Sequence, residues 1–366
     1  MDALSVAVAA NLPVLLWGSP GTGKTSAVLA LGERLGLPVE VVVGSIREPS
    51  DFAGLPVLRD GETWFAPPRW ASRLAAAGRG ILFLDELTTA PPAVQAAMLR
   101  VVLERAVGDL ALPPSVRIVA AANPPEQAAD GWDLSAPLAN RLIHLDWTVS
   151  AESVAEGFTV GFSAPAAAPV EAGAAAVGRA RALVGAFLRV RPELVLAVPD
   201  GPARAWPSPR TWELAATALA CTGDDAGTGG GVGVGTGVGT GGTPRVRAEL
   251  VTGAVGEAAG FELLSWLRDL DLPDPATLLA DPDAPLPDRV DRVHAVLGSV
   301  VAHVAADGSA DAWQRAWSVI GRVARRTPDV AATAARSLAA RRPHGAVLPR
   351  TVLELAPILR SAGLMP

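Results

Sequence analysis

Lysine is almost missing from this chain of 366 residues. Of its 31 lysine and arginine residues only Lys24 is a lysine, and the other 30 are arginines. Tyrosine is absent and cysteine occurs once, at Cys221, which excludes an internal disulfide and predicts a buried or inert thiol. So uneven a composition weakens arguments from residue propensity, but it makes the one retained lysine informative.

Long apolar runs and basic runs are missing as well. Half of the residues are hydrophobic, yet glycine, proline and charges interrupt every run before the ~18 apolar residues of a membrane-spanning helix. The first residues lack the basic start of a signal peptide. We therefore expect a cytoplasmic protein without membrane insertion. The net charge of −6 argues against a nonspecific nucleic-acid binder, and four histidines without ligand spacing give no case for a structural metal.

The first part of the chain, residues 1–148, alternates short apolar runs with helical patterns. This alternation predicts an α/β fold, with a five-stranded parallel sheet and crossover helices. The expected strands are Val14–Trp17, Val39–Val43, Ile81–Leu84, Arg117–Ala121 and Leu142–Trp147. The expected helices between them include Lys24–Leu35 and Ala93–Arg105. Two further stretches, "LPVLRDGETWFAPP" and "AVGDLALPPSVR", are typical of inserted hairpins.

The remainder of the chain is rich in alanine and reads as helical. Residues 149–270 form a predicted helical lid, in which Val246–Leu270 is expected to be one helix. A glycine-rich insertion at 223–243 interrupts the lid, and its composition predicts a flexible loop. Residues 271–366 form a predicted helical C-terminal extension, with apolar stripes that indicate core packing.

A phosphate-binding loop is the clearest motif. It follows the first predicted strand and opens the first long helix, the context that this motif requires. Its residues are Gly18, Ser19, Pro20, Gly21, Thr22, Gly23, Lys24 and Thr25, with Ser26 next in the helix. The glycines allow backbone N–H groups to surround a phosphate, and a slim lysine reaches the β- and γ-phosphates where a planar guanidinium cannot replace it. The Thr25 hydroxyl is expected on Mg²⁺.

Two later strands end in polar residues that suit hydrolysis. Asp85 and Glu86 follow the apolar run "GILFL", and Asn123 follows "RIVAAA". Ligands bind at the carboxyl ends of strands in open parallel sheets, so we expect these side chains beside the phosphate loop. There Asp85 can hold Mg²⁺ through water, Glu86 can orient or deprotonate the attacking water, and the Asn123 amide can hold the water or the γ-phosphate.

Four motifs follow one another along the chain: the phosphate loop, "DE" after an apolar strand, "AAANP" and "PLANRLIHLDW". In this order they resemble the motifs of the AAA+ ATPases, and most of all those of the MoxR-type family. The likeness covers residues ~10–148 strongly and continues more loosely to ~270. It implies an AAA+ P-loop core, a helical lid, and ATP with Mg²⁺ as the bound cofactors. It also implies that Asn123 is the first sensor.

The same resemblance implies roles for two arginines. Arg141, in "NRL", matches the arginine finger that reaches the γ-phosphate bound by a neighbouring subunit, and Arg210, in "PSPRTWELAATAL", matches the second sensor of the lid. A guanidinium presents a fork of donors that fits phosphate oxygens. A finger that acts between subunits implies self-association, which in this family means a hexameric ring.

The resemblance therefore implies a ring-forming ATPase that remodels a protein client, with a von Willebrand A domain protein as a possible partner. An AAA+ motor or loader that acts on nucleic acid is the alternative, although the chain has no basic runs. A small-molecule kinase is a third class, but it gives no reason for Glu86, Asn123 and Arg141 to follow in this order.

The single lysine yields a direct prediction. Replacing Lys24 by alanine or by arginine should abolish nucleotide binding, because the charge at the β- and γ-phosphates is either lost or too broad to enter the loop. Titration calorimetry with ATP measures this directly. An affinity of Lys24→Arg equal to that of the wild type would contradict the steric explanation.

Overall fold

The computed structural model describes residues 2–124, 127, 131–162, 165, 172–201, 203–223, 244–347, 349–350, 352 and 357. The predicted glycine-rich insertion therefore lies outside the described residues, except for Gly223. Within the described part, no helix is both long and apolar enough to cross a membrane.

Nine strands are formed in the described residues. They are β1 (Val14–Trp17), β2 (Val39–Val43), β3 (Leu55–Arg59), β4 (Glu62–Ala66), β5 (Gly80–Asp85), β6 (Ala106–Val107), β7 (Leu110–Ala111), β8 (Val116–Ala122) and β9 (Ile143–Asp146). Five of them make one sheet in the order β2-β5-β8-β1-β9, and every pairing in this sheet is parallel. The prediction of a five-stranded parallel sheet is confirmed. The two predicted hairpins are formed by β3 with β4 and by β6 with β7, both antiparallel.

Helices cover the sheet and make up the rest of the chain. They are α1 (Ala3–Ala9), α2 (Lys24–Leu35), α3 (Ser50–Ala53), α4 (Arg69–Ala77), α5 (Pro92–Glu104), α6 (Ala136–Ala139), α7 (Ala151–Val160), α8 (Ala174–Val190), α9 (Pro209–Cys221), α10 (Pro244–Val255), α11 (Glu257–Arg268), α12 (Pro275–Ala280), α13 (Val290–Asp307), α14 (Ala310–Ala324) and α15 (Pro328–Ala339). An α/β core followed by a helical part is the architecture that the sequence predicted.

One helix prediction is wrong. The expected continuous helix Val246–Leu270 is two helices, α10 and α11, which meet at Gly256. Gly256 has φ +85°, a left-handed conformation that breaks the helix and that only glycine adopts without strain. A Cβ at this position would also lie 2.9 Å from the carbonyl oxygen of Ala205, so a residue distant in sequence makes glycine necessary here.

The chain divides into two compact units. The first comprises residues 1–171, 196–218 and 242–260, and the second comprises residues 172–195, 219–241 and 261–366. The first unit holds the sheet. In the second, the tryptophans of α14, Trp313 and Trp317, are fully buried with the apolar faces of α13 and α15. Each unit contains part of the predicted lid, residues 149–270, and the three-part division of the chain at 148 and 270 stays a prediction.

A buried polar pair connects the edge strand β9 to β1, directly before the phosphate loop. The indole Nε1 of Trp17 donates to Nδ1 of His144 at 2.8 Å, and Nε2 of His144 lies 3.0 Å from the carbonyl oxygen of Ala139. An indole N–H can only donate, so Nδ1 is the acceptor and the imidazole proton is on Nε2. Burial, assisted by the charge of the nearby Arg204, lowers the pKa of His144 to about 4, although the hydrogen bond with Ala139 opposes the shift. The ring is therefore neutral and holds Trp17 in place.

The lowered pKa of His144 predicts a loss of stability in mild acid. Below about pH 6.5 the unfolded chain takes up a proton at this histidine, whereas the folded chain does not until about pH 4. Between pH 7 and pH 5 this difference should cost about 2 kcal/mol of unfolding free energy. Denaturant unfolding of the wild type and of His144→Gln at both pH values isolates the effect, since the carboxylates titrate in both proteins. An equal pH dependence in the two would show that His144 is not held neutral.

Candidate functional site

The polar strand ends that the sequence predicted to be close meet at the carboxyl edge of the sheet. Trp17 pairs with Ala122 in the register of β1 and β8, so Gly18 and Asn123 leave their strands side by side. Asp85 is the last residue of β5, which pairs with β8 on its other side. The sheet therefore collects the phosphate loop, the two carboxylates and the amide on one edge, where parallel sheets bind ligands.

The backbone of the loop has the conformation of an anion cradle. Gly21 and Gly23 are left-handed, with φ +76° and +81°, and a Cβ on either would meet no atom within 4 Å. Gly23 is the N-cap of α2, whose first N–H groups have no partner within the helix and point toward the loop. Thr22 closes the turn, because its hydroxyl donates to the carbonyl oxygen of Ser19 at 2.7 Å. Backbone N–H groups and a helix N-terminus thus face the same space, as phosphate binding requires.

Trp147 supports this loop, a role that no sequence pattern indicated. Its indole Nε1 donates to the carbonyl oxygen of Thr22 at 3.0 Å. Its own carbonyl oxygen would lie 2.5 Å from a Cβ at Gly18, so the first glycine of the loop is required by close backbone contact. Local patterns only placed Trp147 at the end of a strand, because its contact with Thr22 spans 125 residues.

Lys24 is the centre of the site. Its side chain is only 8% exposed, and Nζ donates to the carbonyl oxygens of Gly18 at 2.6 Å and Ser19 at 3.0 Å and to Oδ1 of Asn123 at 3.2 Å. Burial lowers the pKa of Lys24, and the charge of Asp85 partly opposes this effect. The ammonium group is thus held in the loop by neutral oxygens, two of backbone carbonyls and one of an amide. A phosphate would supply the full negative charge that this buried cation lacks.

Thr25 and Asp85 form the second contact across the edge. The Thr25 hydroxyl donates to Oδ2 of Asp85 at 2.8 Å, and the backbone N–H of Glu86 donates to Oδ1 at 2.9 Å. A hydroxyl beside a carboxylate is an all-oxygen donor set, which suits Mg²⁺. No group of three or more histidine, cysteine or acidic side chains that could hold a metal ion by itself occurs in the described residues.

Glu86 stands next to Asp85 in a strained conformation. Its φ of +55° and ψ of +45° are left-handed, which is uncommon for any residue but glycine and is often found at functional sites. Its carboxylate accepts a hydrogen bond from the hydroxyl of Ser45. The register explains the pair: Val43 lies opposite Asp85, so the residues after both strands are neighbours. Ser45 was not predicted, since only the pairing of β2 with β5 reveals it.

The two predicted arginines lie together. Burial lowers the pKa of Arg141, and the charge of Arg210 lowers it further. Arg141 precedes the amino end of β9, whereas the phosphate loop follows the carboxyl end of β1. The parallel register puts about four residues, roughly 13 Å, between these two ends of the sheet. Ser208 holds the start of α9 beside Arg141, because its hydroxyl donates to Oδ1 of Asn140 at 2.9 Å.

At the carboxyl edge the structure places a different arginine. Arg204 donates to Oδ1 of Asp146 at 2.8 Å, and its guanidinium carbon lies 4.5 Å from the centroid of the Trp17 ring. Trp17 and Asp146 are register partners at the ends of β1 and β9, next to the loop. The Asp146 side chain is 73% exposed, so the ion pair itself contributes little stability. No local pattern marks Arg204, and it was not among the predicted site residues.

The first part of the chain matches a known protein family. Residues 13–142 match the family described as AAA domain (dynein-related subfamily). The matched segment contains the phosphate loop, Asp85, Glu86, Asn123 and Arg141, but not Arg210. Among solved structures the chain is similar to a "putative ATPase" from Cytophaga hutchinsonii, with 23% identity and a TM-score of 0.34. That match covers 44% of this chain, and the chain spans half of the length of that protein.

The family match, the phosphate loop at the end of β1 and the parallel order of the five strands agree with one another. Together they support an AAA+ ATPase domain in residues 13–142 of this chain.

Proposed function

We propose that this chain is a MoxR-type AAA+ protein that binds and hydrolyses ATP, assembles into a ring and remodels a protein client. The observation that supports hydrolysis most directly is the joining of Lys24 to Asn123 at one edge of the sheet, with Thr25 on Asp85 beside them. These contacts bring phosphate-binding and water-orienting groups into one site. The subfamily, the ring and the client rest on the sequence resemblance and go beyond the shared domain.

Each residue of the site has a distinct task in this proposal. Lys24 and the N–H groups of the loop bind the β- and γ-phosphates, and Asn123 orients the γ-phosphate or the attacking water. The Thr25 hydroxyl and the Asp85 carboxylate would hold Mg²⁺, which neutralises developing charge on the phosphate oxygens. Glu86 accepts the proton of the attacking water or orients it. Removing the Glu86 charge should therefore affect turnover and leave binding intact.

The expected behaviour of Glu86→Gln tests this assignment. The amide fills the same space as the carboxylate but cannot activate water, so ATP should bind as in the wild type while hydrolysis falls by about 10²-fold or more. Calorimetry measures binding, and phosphate release measures turnover. Lys24→Ala is the matched control, because it should lose binding as well. Rapid hydrolysis by Glu86→Gln would mean that another group serves as the base.

Ser45 should restrain Glu86. The sheet order puts β2 on the side of β5 that faces away from β8 and β1, so the hydrogen bond from Ser45 draws the carboxylate away from the phosphate loop. Ser45→Ala should raise the ATP turnover several-fold at unchanged ATP affinity, and Ser45→Thr, which keeps the hydroxyl, should resemble the wild type. A slower Ser45→Ala protein would mean that Ser45 positions Glu86 for the reaction instead.

The position of Arg141 and Arg210 supports a ring. Two neighbouring cations at the amino end of β9 lie away from the phosphate loop of their own chain. The ion pairs of the described residues include neither of them; Nη1 of Arg141 donates to the carbonyl oxygen of Pro137, whereas its Nε is buried without a hydrogen-bond partner. An anion brought by a neighbouring subunit would satisfy both. We therefore assign both arginines to the γ-phosphate of the neighbour, where the sequence resemblance made Arg210 the second sensor of the lid.

Mixing two inactive proteins separates action between subunits from action within one chain. Arg141→Ala should bind ATP but hydrolyse it roughly 10³-fold more slowly, because such fingers stabilise the charge of the transition state. Mixed with Lys24→Ala, it should regain activity, since some interfaces then join an intact loop to an intact Arg141. The same mixing with Arg210→Ala should also restore activity. If Arg210 instead served its own chain, no mixture with Lys24→Ala could contain a working site.

Mixed assembly must be shown for each pair, for example by co-purification through a tag on one of the two proteins. If mixed assemblies form and Arg141→Ala is not rescued at any ratio, the role of Arg141 between subunits is wrong. If Arg141→Ala is rescued and Arg210→Ala is not, Arg210 serves the nucleotide of its own chain.

The hairpin formed by β3 and β4 offers a surface for the client. Leu55 is 61% exposed and Leu58 79% exposed, an unusual display of apolar side chains on a two-stranded sheet. In the family that the chain resembles, an inserted hairpin lies at this place. We propose that the hairpin contacts the protein client or a von Willebrand A domain partner in the cytoplasm.

A further inference from the structure

A groove in the second unit has no place in the ATPase site. It lies between α8, α13 and α15 and has a volume of about 550 Å³. Volumes of ~300–1,000 Å³ are typical of ligand sites in proteins. All the residues that line it belong to the described part of the chain and to the second unit.

The floor of the groove is made of small residues. A Cβ at Gly178 would lie 3.0 Å from Cβ of Ala302, and a Cβ at Gly298 would lie 2.7 Å from Cβ of Ala182. The backbones of α8 and α13 therefore approach closely along an antiparallel seam, and no large side chain fills the space above it. The result is a smooth apolar trough that a ligand can enter.

The charged residues of the groove are all of one sign. Arg181, Arg189 and Arg341 line it, His294 lines it beside Arg189, and none of its described lining residues is acidic. Burial lowers the pKa of His294, and the charge of Arg189 lowers it further. On a chain with a net charge of −6, such a groove selects negative ligands.

Arg189 with His294 stands at one end of the trough and Arg341 at the other, and Arg181 lies on α8 before Arg189. His294 is near the start of α13, and Trp313, early in the next helix, donates to the carbonyl oxygen of Leu338 near the end of α15. Arg341, just beyond α15, is thus near the end of α13. The lining of α13 extends from His294 to Ala306, which is about 18 Å of helix. A single phosphate would reach only one end, so the ligand must be elongated and carry several negative groups.

Two kinds of elongated polyanion remain, nucleic acid and polypeptide. Proteins that bind single strands stack the bases on aromatic side chains, and the lining of this groove contains no tryptophan, tyrosine or phenylalanine. The alanine, glycine and valine surface suits the small side chains and backbone of a polypeptide instead. We propose that this groove binds an acidic segment of a partner polypeptide, extended along the α8–α13 seam with carboxylates at Arg189 and Arg341.

Binding of a labelled peptide to the full-length protein tests the proposal. The probe is a fluorescent (Glu-Ala)₄ peptide, which spans roughly 26 Å when extended and so covers the groove. Its uncharged counterpart is (Gln-Ala)₄. We expect saturable binding of the acidic peptide that weakens with salt, and at least tenfold weaker binding of the uncharged one. Binding in this groove does not depend on ATP hydrolysis, so the result stands apart from the proposed function.

Charge reversal locates the site. The double variant Arg189→Glu/Arg341→Glu should weaken binding at least tenfold. Arg315→Glu/Arg325→Glu is the matched control, since it changes the net charge equally at exposed positions outside the groove. It should stay within about twofold of the wild type. If the reversed protein does not fold, Ala305→Trp at the exposed rim should block binding by its bulk.

Three results would overturn the proposal. These are no saturable binding of (Glu-Ala)₄, an equal loss of affinity in the control variant, and full competition by an equal concentration of an eight-nucleotide oligothymidylate.

An NMR titration of His294 provides a readout that does not depend on the binding measurements. Bound carboxylates should raise the pKa of His294 in an NMR titration of its imidazole, whereas (Gln-Ala)₄ should not. An unchanged His294 in the saturated complex would place the peptide elsewhere.

Discussion

The ammonium group of Lys24 depends on three acceptors that come from two strand ends. Two carbonyl oxygens belong to the loop after β1, and the third oxygen is the amide of Asn123 after β8. These groups meet only because β1 and β8 are neighbours in parallel register, with Trp17 opposite Ala122. The pairing of these two strands is therefore the constraint on which the site depends. A shift of one residue in this register would separate Asn123 from the loop and turn its side chain to the other face of the sheet.

The limits of each strand of the sheet could be read from the sequence within one residue. Val14–Trp17 and Val39–Val43 have the predicted bounds, and the others differ by a residue at one or both ends. Apolar runs bounded by glycine and proline are local signals, and so is the phosphate loop. Gly256 shows what local signals miss: its periodic surroundings predict a continuing helix, but a contact with the distant Ala205 carbonyl requires glycine and a break.

The same distinction separates the site residues that were predicted from those that were not. Asp85 and Asn123 were found because they follow strands in a recognisable order. Ser45, Trp147 and Arg204 reach the site through strand register or long-range contacts, and no local pattern contains that information. The proximity of Arg141 and Arg210 belongs to the second kind as well. Motif order could assign each a role, but not reveal that their charges lie side by side.

The geometry also explains why one lysine remains among arginines. Two of the arginine ion pairs use the planar fork: Arg73 donates to both oxygens of Glu40 at 2.6 and 2.5 Å, and Arg289 to both oxygens of Asp291 at 3.1 and 2.7 Å. At Lys24 three acceptors converge on one nitrogen inside a buried loop. A guanidinium spreads its five donors over a plane and cannot direct three of them to a single point. Exposed sites accept either cation, so a drift of composition toward arginine could proceed at every position except the one where the acceptors surround a point charge.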